Sequence, residues 1–356
     1  MSRDGSTMRR RGSVRVAAVV VALVLSAVLL ESGARIFWRM AYGVPLTRPG
    51  RALWAVYPEL WQLGWEDEDV RGANPVRVLL LGGSALHPEW GNVEQELRER
   101  LTVRLSRPVV VYNMAAIGHT SRDSYIKYRA LAGRHFDLVI FYHGINDARA
   151  NNVPPEKFRA DYSHYAWYDV VNALDSCREH QWTVLPCTLR YLTVRASDRL
   201  GLVRYVSMDA PRPEWLGYGA EVKSAVSFET NLRGIVETAH ARREPLLLMT
   251  FATYVPGDYS LAAFKQRKLD YTLSLSPIEM WGAPEAVIQA IARHNDIVRR
   301  IAASDATIRF VDQATAMPKG GRYFNDVCHL TSAGSTVFVE NLLEEAARAA
   351  TVPTAR

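Results

Sequence analysis

From about residue 75 onward, short apolar runs alternate with longer segments whose apolar positions recur at helical spacing. Val76–Leu81 is a continuous apolar run, which is typical of a strand buried on both faces of a parallel sheet. Residues 286–303 instead show the three-to-four-residue spacing of an amphipathic helix. This alternation predicts an α/β fold, a three-layer α/β/α sandwich with a mostly parallel sheet.

Five strands and five helices are predicted in this region. The strands are Val76–Leu81, Pro108–Tyr112, Phe136–Tyr142, Pro245–Thr250 and Ile308–Val311. The helices are Val93–Leu105, Ser121–Leu131, Phe228–Arg242, Ala286–Ala303 and Ser332–Ala349. Ser121 is the candidate N-cap of the second helix, with Ser124 a weaker one.

The N-terminus carries a different signal. Five arginines and a single acid, Asp4, lie within residues 1–15, and the run Val16–Leu30 that follows has no charged residue. A basic flank before an apolar run is typical of an export signal. The arginines also account for most of the formal net charge of +6, so the basic balance does not predict nucleic-acid binding.

Whether this segment is retained is an open question at the level of sequence. The uncharged run is short of the roughly 20 residues that a spanning helix needs, and cleavage after Ala34 would follow a small-x-small pattern. Phe37 and Trp38, however, lie where an aromatic belt at the membrane surface is expected. We therefore expect an uncleaved signal anchor, a transmembrane helix over residues 16–38, with a cleaved signal peptide and a buried helix as alternatives.

The remaining organisation follows from composition. Residues 39–74 predict a connector with aromatic anchors, residues 75–350 predict the main domain, and residues 150–225 interrupt its alternation as an insertion rich in tyrosine and tryptophan. The insertion is interpreted as a packed structural subdomain, or alternatively as a lid or substrate-binding surface. Cys177 and Cys187 are close enough in sequence for a disulfide in an oxidising compartment, whereas Cys328 is expected to be a small packed residue.

Chemistry-bearing residues follow the predicted strands. Ser84, Gly118 and Asn146 come after the first, second and third strands, and His329 lies in the loop after the fifth. Because ligands of such sheets bind beyond the carboxyl ends of the strands, these residues are expected at one edge.

The residue types suit acyl transfer. Ser84 is the candidate nucleophile, His329 the base that takes its proton, and Asp326 the group that orients the imidazole. The backbone N–H groups of Ser84 and Gly118 and the side-chain amide of Asn146 are the candidate oxyanion donors. No zinc-type Cys/His spacing, P-loop or internal repeat occurs in the sequence, and no cofactor or metal is predicted.

These motifs, with Asp326-Val327-Cys328-His329-Leu330 before the last helix, resemble the SGNH hydrolases, also called the GDSL esterase/lipase family. The resemblance covers roughly residues 76–346 outside the insertion. It implies a flavodoxin-like sandwich and cleavage or transfer of acyl groups through an acyl-serine. One position departs from the family's name motif, since Gly83 stands where the motif has aspartate. The lack of Gly-x-Ser-x-Gly around Ser84 argues against an α/β-hydrolase elbow.

The sequence therefore predicts a membrane-anchored, single-pass, extracytoplasmic serine esterase. Its expected substrates are acyl or acetyl esters of an envelope glycan or lipid. One alternative is an O-acyltransferase using the same site, because both reactions share the acyl-serine intermediate. The other is a non-catalytic envelope assembly protein that retains the fold.

Overall fold

The structure is a computed structural model that describes residues 4–63, 74–178 and 182–351. Residues 64–73 of the predicted connector therefore lie outside the described residues. So do the first three residues of the basic tail.

Five parallel strands form one sheet in the order β2-β1-β3-β4-β5. The strands are β1 Val76–Gly82, β2 Val109–Asn113, β3 Leu138–Tyr142, β4 Leu246–Met249 and β5 Arg309–Val311. Every residue of β3, the central strand, is buried, as its uninterrupted apolar run predicted. The predicted α/β class and parallel sheet are thus confirmed, and the strand order is that of flavodoxin-like folds.

Eleven α-helices occur among the described residues. They are α1 Asp4–Tyr42, α2 Val93–Leu105, α3 Ser121–Ala130, α4 Ile145–Ala148, α5 Ala166–Arg178, α6 Leu185–Arg199, α7 Ser224–Arg242, α8 Leu261–Lys265, α9 Pro284–Ala303, α10 Gln313–Ala316 and α11 Ser332–Ala350. Helices α2 and α11 pack together on one side of the sheet, and α3, α7 and α9 form a second layer. Short 3₁₀ turns at Pro49–Ala55 and Pro58–Leu63 occupy the predicted connector.

The core lies between the sheet and these layers. Val78 and Leu80 of β1 share one apolar cluster with Leu97 and Leu101 of α2. Burying each such side chain stabilises the fold by about 1.5–3 kcal/mol. The alternate residues Leu79 and Leu81 are also buried, which is why the strand shows no polar alternation.

The predicted N-cap of α3 is wrong by one residue. Thr120, not Ser121, caps the helix: its hydroxyl accepts a hydrogen bond from the N–H of Arg122 (3.2 Å), and its own N–H donates to Asp123 (2.8 Å). This capping box satisfies the first donors of the helix. Ser121 instead donates its hydroxyl proton to Asp147 (2.6 Å), a tertiary contact that local sequence does not reveal.

The chain forms two compact units. One comprises the N-terminal residues up to Tyr57 together with Asp169–Arg204, and the other comprises Pro58–Tyr168 and the chain from Tyr205 onward. The second unit contains the whole sheet. In the first unit, α6 packs on α1, and Cys177 and Cys187 form a disulfide with their Cα atoms 6.1 Å apart.

Candidate active site

Ser84 lies just beyond the carboxyl end of β1, at the point where the strand order reverses. The chain leaves the strand at Gly82, passes through Gly83 in an extended conformation and begins a single 3₁₀ turn at Ser84. Gly82 leaves room for this turn, because a Cβ there would lie 2.7 Å from the Leu86 side chain. The serine is thereby presented at the sheet edge where ligands of such folds bind.

The structure brings Ser84, His329 and Asp326 together in one relay. Ser84 Oγ lies 2.9 Å from Nε2 of His329, and Nδ1 of the same ring lies 2.7 Å from Oδ2 of Asp326. Because an ionised carboxylate can only accept, Nδ1 carries the proton and Nε2 is left to accept from the serine hydroxyl. This is the tautomer that a general base next to a serine requires.

Asp326 is held rigidly in its loop before α11. It is fully buried, and it accepts further hydrogen bonds from the backbone N–H groups of Ser276 (3.0 Å), Cys328 (3.0 Å) and His329 (2.9 Å). Charge-assisted bonds of this kind stabilise the ionised carboxylate without a nearby cation. The aspartate can therefore both fix the ring and stabilise an imidazolium.

Two further side chains border the imidazole. The Trp90 ring lies tilted over the His329 ring with centroids 4.1 Å apart, so the indole packs directly against the imidazole. Cys328 is buried beside it, and burial raises the pKa of its thiol well above the ordinary value. That thiol thus stays protonated, in agreement with the packing role expected from the sequence.

The donor atoms of Asp326, Cys328 and His329 lie within 4.8 Å of one another, a spacing that a metal ion could use. Both ring nitrogens of His329 are already engaged, one with Asp326 and one with Ser84. Since the neutral ring offers only one lone pair, the residues fit a proton relay better than a metal centre.

A hydrogen bond joins Asn146 to the loop that contains Gly118. Gly118 adopts a φ of +77°, a left-handed conformation that glycine reaches without strain. Asn146 is the second residue of α4, and its Nδ2 donates to the carbonyl of His119 (2.9 Å), which directly follows Gly118. Within the described parts of the chain, no hydrogen bond is donated by the backbone N–H of Ser84 or of Gly118. These two N–H groups and Nδ2 of Asn146 remain the candidate oxyanion donors.

The glycine at position 83 is explained by this arrangement. A Cβ at Gly83 would lie 2.7 Å from Nδ2 of Asn146 and 3.0 Å from the carbonyl oxygen of His119. Any larger side chain, including the aspartate of the family's name motif, would displace the amide. The Asn146 amide can therefore take this position because residue 83 is a glycine.

Trp281 fixes which way the Asn146 amide points, and sequence analysis missed it. Its indole N–H donates to Oδ1 of Asn146 (2.8 Å), so Nδ2 must face His119 and the serine. Trp281 is buried, and its own carbonyl accepts from Asn152 (2.7 Å). It directly follows the 3₁₀ turn Ile278–Met280, between α8 and α9, and no local motif singles it out.

A buried ion pair between Lys127 and Glu59 supports the loop that contains Gly118. Lys127 of α3 has no exposed side-chain surface; its Nζ lies 2.7 Å from Glu59 and 2.9 Å from Nδ1 of His119, and it also donates to the carbonyl of Met114. Burial and the charge of Lys127 lower the pKa of His119 to about 4, so this ring is neutral and accepts the ammonium proton. No sequence pattern predicts this pair, because Glu59 comes from the connector and a lysine on an amphipathic helix is expected to be solvated.

The loop of Asn146 is braced in a similar way. Asp147 accepts from the hydroxyl of Tyr162 (3.0 Å) as well as from the backbone N–H of Ser121 (3.0 Å), and burial raises its pKa to about 6. Tyr162 belongs to a small aromatic cluster with Tyr165 and Tyr168 in the predicted insertion. This part of the insertion therefore packs as structure against the loops of the site.

His143 packs locally. Its Nε2 lies 2.7 Å from Ser124 Oγ, and burial lowers its pKa to about 3. It is therefore neutral and engaged in a buried contact, outside the relay to Ser84.

Comparison with known proteins decides the family. The model of the GDSL-like lipase/acylhydrolase family matches residues 64–337, which is most of the chain. The chain belongs to this family. The predicted resemblance is thus confirmed, and the chain is an ester hydrolase of the GDSL type.

Solved structures similar to the hydrolase include two lipases and one esterase. A GDSL-like lipase from Bacteroides thetaiotaomicron is 14% identical, with a TM-score of 0.41, over 77% of this chain and 88% of that one. A lipase/acylhydrolase from Enterococcus faecalis is 11% identical (TM-score 0.38, 77% and 96%). A variant of an acetyl xylan esterase from Geobacillus stearothermophilus is 15% identical (TM-score 0.41, 79% and 97%). A search of curated proteins found no match.

Proposed function

We propose that the hydrolase cleaves esters through an acyl-enzyme on Ser84, with His329 as general base and Asp326 as the orienting acid. The observation that carries the proposal is the continuous relay from Ser84 Oγ to His329 Nε2 (2.9 Å) and from His329 Nδ1 to Asp326 (2.7 Å). Family membership supports the same chemistry, because it supplies the substrate class, an acyl ester.

In the first half-reaction, Ser84 Oγ attacks the ester carbonyl while its proton passes to Nε2 of His329. The negative charge that develops on the carbonyl oxygen is stabilised by the N–H groups of Ser84 and Gly118 and by Nδ2 of Asn146. The imidazolium, held by Asp326, then protonates the leaving alkoxide. In the second half-reaction, water gives a proton to His329 and attacks the acyl-serine, which releases the acid and restores the serine.

We further propose that α1 anchors the chain in a membrane and that the catalytic unit lies outside the cytoplasm. Residues Arg15–Tyr42 are long and apolar enough to cross a bilayer, and the five arginines within residues 1–15 favour a cytoplasmic N-terminus. The Cys177–Cys187 disulfide supports an oxidising compartment. An enzyme tethered there would meet the acylated or acetylated glycans and lipids of the envelope, which we propose as its substrates.

The test of the nucleophile is a fluorophosphonate probe with Ser84→Ala. We expect the wild type to be labelled covalently and to turn over short acyl esters, and Ser84→Ala to lose both while its far-UV and near-UV circular dichroism stays unchanged. Ser207→Ala, which removes an exposed hydroxyl elsewhere, is the matched control and should keep full labelling. Full labelling of the Ser84→Ala protein would reject the assignment. Adding acyl-acceptor sugars to unlabelled wild type that is turning over an acyl ester then distinguishes transfer from hydrolysis, because transfer gives an acylated sugar and hydrolysis gives the free acid.

A further inference from the structure

In the first unit, α6 runs alongside the end of α1 and is tied to it over three turns. Successive positions along α1 meet successive positions along α6, so the beginning of α6 lies nearest the apolar run. The Glu31 carboxylate accepts hydrogen bonds from Thr183 Oγ1 (2.6 Å) and from the backbone N–H of Leu185 (3.0 Å). Further along, Trp38 Nε1 donates to Thr188 Oγ1 (2.8 Å), and the hydroxyls of Tyr42 and Tyr191 are hydrogen-bonded to each other (2.6 Å).

The length of the apolar run sets how deep this junction lies. Val16–Leu30 would extend only about 22 Å as a helix, at 1.5 Å per residue, whereas the hydrocarbon layer is about 30 Å thick. If α1 crosses the bilayer, several residues beyond Leu30 must also lie within it or at its boundary. Glu31 and Arg35, which follow directly, are therefore placed at the outer membrane surface.

The charged groups of Glu31 and Arg35 are paired with each other and hydrogen-bonded to the start of α6, which suits a position at the membrane surface. Arg35 Nε lies 2.7 Å from Glu31, and the Glu31 carboxylate accepts from the first N–H groups of α6, those of Val184 (3.1 Å) and Leu185 (3.0 Å). Arg35 also donates to the carbonyl of Trp182 (2.7 Å). The turn from Trp182 to Leu185 therefore shares the depth of Glu31 and Arg35.

This turn and the first half of α6 expose apolar side chains, with the exposed Arg190 among them. Trp182 is 90% exposed, and Leu189 and Leu192 are 56% and 46% exposed, although the opposite face of α6 is buried. On α1, Met40 at the same level is 82% exposed. Tryptophan is enriched at the headgroup level of membranes, where its ring is buried and its N–H stays hydrated.

We propose that the tip of the α5–α6 hairpin, residues 182–189, is a second membrane contact that inserts into the headgroup region of the leaflet from which α1 emerges. The inference rests on the proposed anchoring by α1, because the depth of the tip is set by its bonds to Glu31 and Arg35. The partner of the hairpin tip is the phospholipid surface itself, because the exposed apolar surface of the tip continues the exposed apolar surface of α1. The contact would hold the first unit against the bilayer at two points instead of one.

The experiment uses the full chain in vesicles of phosphatidylethanolamine and phosphatidylglycerol. A fluorophore is attached to a single new cysteine in Trp182→Cys or, as the matched control, in Leu202→Cys, which is also exposed in the same unit but follows the far end of α6. Cys328 is buried, and the unsubstituted chain, labelled in parallel, measures any background from it. Quenching is measured with iodide in the water and with lipids that carry a nitroxide near the headgroup.

We expect the label at position 182 to be quenched by the nitroxide lipid and to show an iodide quenching constant several-fold lower than that at position 202. Equal iodide access at both positions, in protein that resists extraction by alkaline carbonate, would overturn the hairpin contact while α1 still anchors the chain. Release of the protein by carbonate would instead overturn the anchor and the hairpin contact together. The two failures are therefore distinguishable in one preparation.

Discussion

At the scale of single residues, the side-chain amide of Asn146 depends on three neighbours. Trp281 donates to its oxygen, His119 accepts from its nitrogen, and Gly83 leaves the space that it fills. An amide can present either end to a substrate, and only the nitrogen can stabilise an oxyanion. The chemistry of this position is thus decided by contacts with residues distant in sequence.

We predict that Asn146→Ala lowers kcat by about 10²–10³-fold with little change in KM, because an oxyanion donor acts in the transition state.

Trp281→Phe keeps an aromatic ring but removes the indole N–H donor. It leaves Oδ1 of Asn146 unpaired and should lower kcat by about 10-fold. In Asn146→Ala the same tryptophan substitution should have no further effect on kcat. Steady-state kinetics of the two single variants and the double variant measure this coupling, and additive losses would show that Trp281 does not act through Asn146.

Gly83→Ala is predicted to damage activity more than stability. The added methyl would lie 2.7 Å from the Asn146 nitrogen, which must move, whereas the φ of −101° at Gly83 is accessible to alanine. We expect a fall in kcat comparable to that of Asn146→Ala, with a small change in Tm. Gly217→Ala, where a Cβ meets nothing within 4 Å, is the control and should leave kcat unchanged. A fully active Gly83→Ala enzyme would contradict the close approach.

At the scale of elements, the start of α3 joins helix capping to the support of the site. Asp123 closes the capping box with Thr120 and also accepts from Tyr168 OH (2.6 Å) and Trp167 Nε1 (3.0 Å). Burial alone would raise the pKa of this carboxyl, but His119, Lys127 and these hydrogen bonds outweigh it and lower the pKa to about 2. One carboxylate therefore stabilises the helix terminus and the neighbouring aromatic cluster together.

The depressed pKa gives Asp123 a defined pH dependence. The stability that its carboxylate contributes is fully present above its ordinary pKa near 4 and is lost as the pH falls through about 2. Asp123→Asn should therefore lower the free energy of unfolding at pH 6, and its deficit should shrink by about 2 kcal/mol between pH 6 and pH 2. Urea unfolding of both proteins at several pH values measures this difference. A deficit that is constant with pH would contradict the low pKa.

At the scale of the whole molecule, the chain is divided so that the apolar helix and the catalytic sheet belong to different compact units. The first unit combines α1 with the disulfide-linked segment Asp169–Arg204, which lies far away in sequence. The second unit contains the sheet and all the candidate site residues. Residues Asp169–Arg204 of the insertion thus pack with the predicted anchor in the first unit. The aromatic cluster of Tyr162, Tyr165 and Tyr168 belongs to the second unit and packs against the loops of the site.

The predicted membrane topology of the chain rests on the five arginines that precede the apolar run. We predict that residues 1–15 are cytoplasmic, that residues from 75 onward are outside, and that the mature chain keeps its N-terminus. Membrane fractionation, N-terminal sequencing and protease treatment of spheroplasts test the three statements. A soluble product beginning at Arg35 would show cleavage after Ala34, whereas protection of the region beyond residue 75 in intact spheroplasts would reject export.

The sequence by itself determined the five strands, the longer helices that pack on them and the order of the candidate residues, whereas α4, α5, α6, α8 and α10 were not predicted. Strands such as Val76–Leu81 are continuous apolar runs, and Ser84, Gly118 and Asn146 each follow a strand, so a parallel sheet necessarily brings them to one edge. Short-range patterns carry this information because helix and strand periodicity and turn residues are local properties of the chain. The sequence accordingly predicted α2 to the residue, and its predicted strand boundaries differ from the observed ones by at most two residues.

Only the tertiary structure decided how the site is held. The orientation of the Asn146 amide depends on Trp281, more than 100 residues away, and the Gly118 loop rests on Lys127 and Glu59, whose pairing leaves no local pattern. The N-cap of α3 differed from the prediction for the same reason, because Ser121 binds Asp147 instead. Such contacts between distant segments form once the sheet brings them together, since buried polar groups must find partners wherever the fold places them.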